Sequence, residues 1–274
     1  MAKKRSWFKW RYVRYLSQAL FVAFIVRYSY LHLALEHGAS GRTGPIDCIC
    51  PMGSIALLPH LAQTGEFFRR AGDTNLVVLA ALVIAVFAFG GGFCGWMCPM
   101  GSVQEWLYRL RKKIWKKDIK LPLGVHKALR WFRYAVMVFI VVMTTIKATF
   151  VFKSLDPYNA LFTLGHDTVI LGFIILGVFI ALSLVIERPW CQYACPLGGA
   201  IQPVAKISAT GISRDEEKCI ECGKCDDECP YQLPISTVKH VNRGLCIECL
   251  RCIDECPVPG TLEFEFGWYK GGEK

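Results

Sequence analysis

Two stretches of the chain carry the same closely spaced cysteines. They are CIECGKCDDECP at 219–230, the first motif, and CIECLRCIDECP at 246–257, the second motif. Cys-x2-Cys-x2-Cys-x3-Cys-Pro is the pattern that binds [4Fe–4S] clusters. Structural zinc sites usually pair two Cys-x2-Cys hooks across a longer gap, and disulfides are disfavoured in a reducing cytoplasm. The two motifs therefore predict two clusters that carry single electrons.

In two-cluster proteins of this kind, the fourth cysteine of each motif binds the cluster of the other motif. We therefore expect crossed ligand sets. The first cluster takes Cys219, Cys222, Cys225 and Cys256, and the second cluster takes Cys246, Cys249, Cys252 and Cys229.

The rest of the chain is apolar enough to predict a membrane protein. Hydrophobic residues make up 53% of the sequence and charged residues 20%, and the mean hydropathy is +0.34. About 20 apolar residues are needed to cross a bilayer as a helix. Four stretches qualify, with approximate bounds Tyr12–Leu35, Thr74–Phe93, Trp131–Phe152 and Asp167–Ile186. The first has a long apolar region and no clear cleavage site, which favours a retained anchor over a signal peptide.

Basic residues predict the orientation of these helices. Nine lysines and arginines lie between residues 109 and 130, in the connection between the second and third stretches. Because basic connections stay in the cytoplasm, we expect a multi-pass protein of a bacterial-type inner membrane with both termini cytoplasmic. The net charge of +10 is then a topology signal, and we expect no nucleic-acid partner.

The charge also changes sign along the chain. Residues 187–274 contain ten Lys or Arg and fourteen Asp or Glu, a net charge of −4, so the preceding residues carry +14. We place the domain boundary here, with a four-helix transmembrane domain at 1–190 and a cytoplasmic tandem ferredoxin domain at 191–274. The expected fold is mainly α and integral to the membrane, with a C-terminal α+β domain like two-cluster bacterial ferredoxins.

A third cysteine pattern follows the second and fourth apolar stretches. FCGWMCP at 93–99 is the first box and WCQYACP at 190–196 is the second box. KWRYVRY and RWFRYAV open the first and third stretches, so the membrane part is predicted to be two repeated helical hairpins. A pseudo-two-fold arrangement would bring Cys94, Cys98, Cys191 and Cys195 together as ligands of a further iron–sulfur cluster or as redox dithiols. The alternative is a helix-ending turn made by Pro and Gly.

A related sequence, DCICPMGS at 47–54, lies in the first loop on the far side of the membrane. Cys48 and Cys50 could be free thiols, a disulfide with an outside partner or ligands of another group. A turn role for Pro51 and Gly53 is an equal alternative, and the role of both cysteines stays open.

In combination, these motifs resemble the membrane-bound polyferredoxins of the NapH and NosR type. The resemblance covers nearly the whole chain, through CGWMCPMGSVQEW, CQYACPLGGA, CPMGSIALL and the two ferredoxin motifs. It implies a quinol dehydrogenase subunit, or a quinone-linked electron conduit, that works beside other redox subunits. The NosR type carries an additional flavin-binding domain for which this chain has no room, so NapH is the closer likeness.

A quinone site requires an apolar slot at the bilayer edge and a group that titrates or donates a hydrogen bond. Histidine titrates near neutral pH, and buried acids can be tuned into that range. The candidates are His32, His60, Asp47, Asp156, Tyr158, His166 and the intramembrane Arg27. Each has an alternative role as a cap, a loop contact or, for Arg27, a side chain that reaches the headgroups.

Three functions are compatible with these features. The favoured one is an electron-transfer subunit that links the quinone pool to a redox partner through its clusters. The second is a redox-sensing or metalloenzyme-assembly protein. The third is an electron-conducting anchor of a larger respiratory complex without its own quinone site. Eight cluster ligands and a second cysteine set favour the first.

Overall fold

The structure, a computed structural model, describes residues 9–36, 55, 72–115, 121–147, 155–162 and 168–267. The helices are α1 (Trp10–Glu36), α2 (Gly72–Phe89), α3 (Pro99–Ile114), α4 (Leu123–Lys147), α5 (Pro157–Phe162), α6 (Ile170–Ser183), α7 (Pro196–Ala205), α8 (Lys224–Glu228) and α9 (Arg251–Glu255). The strands are β1 (Thr210–Arg214) and β2 (Leu262–Phe266), and a 3₁₀ turn spans Ile235–Thr237. The described chain is thus mainly helical.

Four of the helices are apolar along most of their length. The segments Trp10–Leu35 and Leu123–Ile146 are long and apolar enough to cross a membrane, whereas Leu76–Phe89 and Ile170–Ser183 are shorter. Large apolar side chains are exposed on all four, as Ile170 illustrates at 80% exposure. Exposed apolar faces of this extent are typical of surfaces that contact lipid or another protein.

The four predicted apolar stretches each overlap one of these helices, with shifted ends. Helix α4 begins at Leu123, whereas the third stretch was predicted to begin at Trp131. Helix α6 covers only Ile170–Ser183 of the fourth stretch, predicted as Asp167–Ile186. Phe93 belongs to a separate π-helical turn rather than to α2. The structure therefore supports two membrane-length helices, and four crossings as two hairpins stay a prediction.

The chain forms two compact units, each assembled from separate segments. One unit comprises residues 1–21, 83–98 and 200–274, and the other comprises residues 22–82 and 99–199. The units are defined by contacts between residues, and each combines separate segments of the chain. They therefore do not test the predicted boundary between residues 190 and 191, which stays a prediction.

The first unit contains both ferredoxin motifs. Strands β1 and β2 pair antiparallel, with Ile212 opposite Phe264. Helices α8 and α9 each begin one residue before the third cysteine of a motif and end just before the fourth. Its core is formed by buried residues from this region, namely Ile212, Tyr231, Leu233, Ile235, Val241, Ile247, Cys249, Leu250, Cys252 and Leu262. This is the α+β arrangement of a ferredoxin-type region.

The second unit is held together by buried ionic contacts. The Arg188 guanidinium donates to the Glu105 carboxylate at 2.7 Å, and both side chains are at most 1% exposed. Arg109 lies 3.3 Å from the other Glu105 oxygen. From α3, Arg111 donates to the carbonyls of Leu184 and Val185 at 2.5 and 3.2 Å. These contacts fasten α3 to the segment that leads from α6 into the second box.

Both boxes adopt the same local structure. Each begins with a π-helical turn, Phe93–Met97 or Trp190–Ala194, followed by an extended cysteine, Cys98 or Cys195. The next proline is the first residue of α3 or α7. Proline favours an extended residue before it and is well suited to the first helical position. A helix-ending turn therefore describes only part of each box, because its Cys-Pro step also begins the next helix.

We predict that Glu105→Gln strongly destabilises the second unit. The substitution removes the carboxylate that pairs with the buried Arg188 guanidinium, which should lower the free energy of unfolding by about 3 to 5 kcal/mol. Denaturant titration in detergent micelles measures this quantity.

Glu216→Gln is the matched control, because Glu216 pairs with Arg214 at 3.3 Å but is 55% exposed. An exposed pair contributes at most about 1 kcal/mol. Equal losses for the two variants would contradict the importance of the buried pair.

Candidate iron–sulfur centres

The first motif surrounds a cavity lined by four cysteines. They are Cys219, Cys222 and Cys225 from the first motif and Cys256 from the second. The rest of the lining is mostly apolar or small residues, such as Pro257 and Val258, together with Arg214.

A second cavity has the reciprocal composition. Cys246, Cys249 and Cys252 come from the second motif and Cys229 from the first, beside Ile212, Tyr231 and Leu233. The structure thus brings together the same two sets of four that the sequence pattern grouped. Four thiol groups around a small apolar cavity fit a cubane cluster, whose four irons each accept one thiolate.

The two motifs repeat in backbone conformation as well as in sequence. Glu221 and Glu248, each before the second cysteine, have φ of 51° and 48°, and the residues after that cysteine, Gly223 and Leu250, have φ of 69° and 56°. Left-handed residues bend a chain sharply and are costly for a side chain such as leucine. Leu250 is buried in the core, so its packing offsets this cost. These bends curl each loop around its cavity, and the Glu248 amide donates to the Cys246 sulfur at 3.3 Å.

Burial makes the cysteines reluctant to ionise without a cation. Desolvation raises the pKa of Cys229 to about 11, and desolvation together with the neighbouring Asp226 raises the pKa of Cys225 to about 12. Burial also places the pKa of Cys246 and Cys252 well above the ordinary thiol value, with nearby cysteines adding to the effect. Bound iron would supply the positive charge that keeps these thiolates deprotonated, as metals do in other thiolate sites.

The first box lies directly on the second motif. A Cβ atom built on Gly91 would be 2.2 Å from the Cys246 carbonyl oxygen, and one on Gly95 would be 2.3 Å from the Ile247 carbonyl oxygen. Only glycine allows the two backbones to approach this closely. The Trp96 indole N–H donates to the Glu248 carbonyl at 2.9 Å, which joins the box to the loop around the second cavity.

The start of α1 also contacts the second motif. The Asp254 carboxylate accepts hydrogen bonds from the backbone N–H groups of Trp10 and Arg11, at 3.1 and 2.8 Å. Backbone N–H groups of a first helical turn have no partners within the helix, and a carboxylate at this end is also attracted to the positive end of the helix dipole. Farther along α1, Arg14 donates to the Cys249 carbonyl at 3.2 Å and Gln18 to the Gly95 carbonyl at 3.0 Å.

A buried acid lies beside the second cavity. The Thr210 hydroxyl donates to both Glu248 carboxylate oxygens, at 3.0 and 3.2 Å, and burial raises the pKa of Glu248 to about 7. A Cβ on Gly90, which has φ of 48°, would be 2.4 Å from this carboxylate. The side chain is therefore enclosed by the segment that leads into the first box.

The box cysteines divide between the two units. Cys94 and Cys98 belong to the first unit, where Cys94 packs against the core that includes Ile247 and Cys249. Cys191 and Cys195 belong to the second unit, where Gln104 donates to Cys191 at 3.8 Å and the Gly198 amide to Cys195 at 3.4 Å. Their use as a shared four-thiolate site stays a prediction.

The quinone candidates fall into two groups. Asp47, His60 and His166, as well as Cys48 and Cys50, lie outside the described residues. Among the described ones, Arg27 is exposed and His32 partly buried on α1. Asp156 accepts from the Tyr158 amide at 2.9 Å and precedes α5, which is the geometry of a helix cap. This geometry supports the role of Asp156 as a helix cap, which was the alternative to a role in a quinone site.

Sequence reasoning missed a buried polar group beside the second box. The Arg130 guanidinium donates to His126 Nε2 at 2.6 Å, and His126 Nδ1 lies 2.7 Å from the Tyr193 hydroxyl. Because an arginine only donates, Nδ1 carries the proton and donates to Tyr193. Burial raises the pKa of Tyr193, with Arg130 and Arg133 partly opposing it. The only sequence signal was a histidine four residues before an arginine at the start of α4.

No disulfide joins any of the twelve cysteines within the described residues. In the same part of the chain, no three His, Cys, Asp or Glu side chains form a group that could hold a single metal ion.

Comparison with protein families gives two matches. A 4Fe-4S binding domain matches twice, at residues 74–118 and 168–214, and a 4Fe-4S dicluster domain matches residues 211–257. The repeated match covers each box together with an apolar helix, and the dicluster match covers both ferredoxin motifs. No solved structure matches the chain.

Several curated proteins are similar over much of the chain. An uncharacterized protein of Methanocaldococcus jannaschii is 32% identical over 69% of this chain and 76% of its own length. The putative electron transport protein YccM of Escherichia coli is 28% identical over 85% of this chain and 62% of its own length. The ferredoxin-type protein NapH of Haemophilus influenzae is 26% identical over 85% of this chain and 80% of its own length.

We predict that Gly95→Ala disturbs the second cavity. The new methyl group would displace the Ile247 carbonyl, and overpacking of this kind costs about 1 to 3 kcal/mol. Denaturant titration should show the loss of stability, and EPR should show an altered signal from the second cluster with the first unchanged.

Gly124→Ala is the control, because a Cβ there has no atom within 4 Å. It should leave stability equal or higher and both EPR signals intact. A Gly95→Ala protein that matches this control would contradict the close contact between the first box and the second motif.

We predict that Cys256→Ser damages the first cluster although Cys256 lies in the second motif. Loss of one thiolate ligand should lower the iron content and change the EPR signal of that cluster. Cys229→Ser is the reciprocal variant and should affect the second cluster. Loss of the second cluster in Cys256→Ser would refute the crossed ligand sets.

Proposed function

Because the chain belongs to the NapH-like family of polyferredoxins, which are electron-transport iron–sulfur proteins, we propose that it carries electrons between the quinone pool and a redox partner. Two [4Fe–4S] clusters, each able to hold one transferred electron, are the carriers. In this proposal the protein is a quinol dehydrogenase subunit that works with other redox subunits of a membrane complex.

The observation that carries the proposal is the pair of cavities that are each lined by four cysteines. The loop beside one of these cavities contacts the first box, which follows an apolar helix. The crossed ligand sets join the two motifs, since each cluster would take a thiolate from both. The two sites are therefore built into one ferredoxin-type unit, which supports passage of electrons from one cluster to the other.

The protein surrounds the second site with groups that exclude water. Ile247, Cys249 and Leu250 are buried, and Trp96, Gly95 and Arg14 contact the same loop. Burial, backbone hydrogen bonds to sulfur and a nearby guanidinium are among the factors that set the potential of a cluster. The four cysteines of this cavity would hold the second cluster, and the surrounding residues would influence its potential.

The boxes are the proposed link from the bilayer. Cys94 packs against the core around the second cavity, and the 4Fe-4S binding domain matches across both boxes. We assign Cys94, Cys98, Cys191 and Cys195 to a further cluster or to redox dithiols. The membrane domain at 1–190, the cytoplasmic domain at 191–274 and the cytoplasmic termini complete the proposal.

Oxidation of a quinol releases two electrons and two protons. Two clusters can accept the electrons one at a time, whereas the protons require a titratable group at the bilayer edge. His32, Tyr158 and Arg27 are the described candidates, beside Asp156 in its capping position.

The test combines metal analysis with EPR on anaerobically purified protein in detergent. We expect about eight irons per chain, four for each cluster, and cluster signals that appear when a quinol analogue is added. An iron content above eight would support a further cluster at the boxes.

Dithionite serves as the control reductant, because it reduces the clusters without a quinone site. Clusters that respond to dithionite but stay oxidised with quinol would overturn the quinone link, while the cluster assignment would stand.

A further inference from the structure

The tetrapeptide CIEC occurs at the start of both motifs, in two very different environments. Ile220 of the first copy is 63% exposed, and Glu221 and Cys222 are also exposed. In the second copy Ile247 is 7% exposed, and Glu248 and Cys249 are buried. Since both copies share the left-handed glutamate, the difference arises from what covers them and not from their own conformation.

The cover of the second copy consists of this chain. Gly91 and Gly95 lie against the carbonyls of residues 246 and 247, Trp96 binds the Glu248 carbonyl and Arg14 binds the Cys249 carbonyl. Gly95 and Trp96 belong to the first box, Gly91 to the segment just before it, and Arg14 to α1. The loop that carries Cys246 and Cys249 is therefore the one that these segments cover.

The uncovered copy lies in a strongly acidic stretch. Seven acidic and two basic residues lie between 215 and 228, a net charge of −5, and Glu216, Glu217, Glu221 and Asp227 are exposed. Around the covered copy, residues 242–255 include only three acidic residues, together with two arginines. An exposed apolar side chain in an acidic rim matches a partner whose own contact surface is basic.

We propose that the loop of residues 219–222 is the port through which the ferredoxin region exchanges electrons with a basic one-electron redox protein. This order rests on the proposed function: electrons pass between the first box and the second cluster, then between the two clusters, and then across this loop. Each encounter transfers one electron, with no bond made or broken. The partner is the oxidant when the quinol is the reductant, and the direction reverses with the potentials.

The covered copy indicates why the port lies at the first motif. Burial of the second CIEC loop leaves no surface on which a partner could approach Cys249, whereas Cys222 lines the first cavity and is itself exposed. Electron transfer requires close approach, so a partner should dock where a cluster ligand reaches the surface.

The test uses the full-length protein in detergent and mitochondrial cytochrome c, a basic haem protein, as the probe. Binding is measured at low and high salt, and a zero-length carbodiimide joins carboxylates of the protein to lysines of the probe. We expect cross-links at Glu217, Glu221 and Asp227. Glu248 occupies the place of Glu221 in the covered copy and should give none.

The variant that removes the rim is Glu217→Gln, Glu221→Gln and Asp227→Asn together. It should weaken binding of cytochrome c about tenfold at low salt and much less at high salt, since screening removes long-range attraction. Glu265→Gln on β2 is the control and should bind like the parent. Succinylated cytochrome c, in which the lysines carry negative charge, should not bind the parent protein.

Cross-links concentrated on Asp254, Glu255 or Glu265, cross-links between two copies of this chain, or a triple variant that binds like the parent would each overturn the port. The cross-link map uses the unaltered protein, so it decides the question even if the triple variant fails to fold. Binding requires no quinol, and therefore a failed quinol experiment and a failed port are separate results.

Discussion

The close approach of two backbones supports the arrangement of the ferredoxin unit. Residues 90–96 lie against the carbonyls of residues 246–248, and the absence of side chains at Gly91 and Gly95 makes this contact feasible. The contact brings Trp96 to the Glu248 carbonyl and encloses the Glu248 carboxylate near Thr210. Through it, a segment that follows an apolar helix covers the CIEC loop at residues 246–249, and residues 247–249 of this loop are withdrawn from solvent.

Withdrawal from solvent has an electrostatic consequence. Buried thiols resist ionisation, as the raised pKa values of Cys229 and Cys246 illustrate. Bound iron would supply compensating charge, so cluster binding and the packing of this unit would depend on each other. In the proposed function, the second site would hold the more protected electron carrier, beside the first box and α1, and the first motif would hold the more accessible one.

The internal repeats show how far local sequence controls local structure. Both boxes form a π-helical turn, an extended cysteine and a proline that starts a helix, although they share few side chains. Both motifs place left-handed residues on either side of the second cysteine, even though one copy uses Gly223 and the other Leu250. The left-handed conformation costs glycine little free energy, whereas Leu250 is held in it by burial in the core. Similar backbone paths are thus maintained by different energetic means.

The cysteine pattern grouped the eight motif cysteines before the structure was known. Tight spacing directs three thiols of one short loop to one point, and the crossed pattern of two-cluster proteins assigns the fourth thiol to the other motif. Composition alone indicated apolar helices, since about 20 apolar residues suffice to cross a bilayer. The start of the helix at Leu123, the Glu105–Arg188 pair and the cover over the second motif depended on contacts between residues far apart in the chain. Two identical CIEC tetrapeptides carry no local information that distinguishes them. Only the tertiary structure decides which is buried, because burial is a property of the neighbours and not of the peptide.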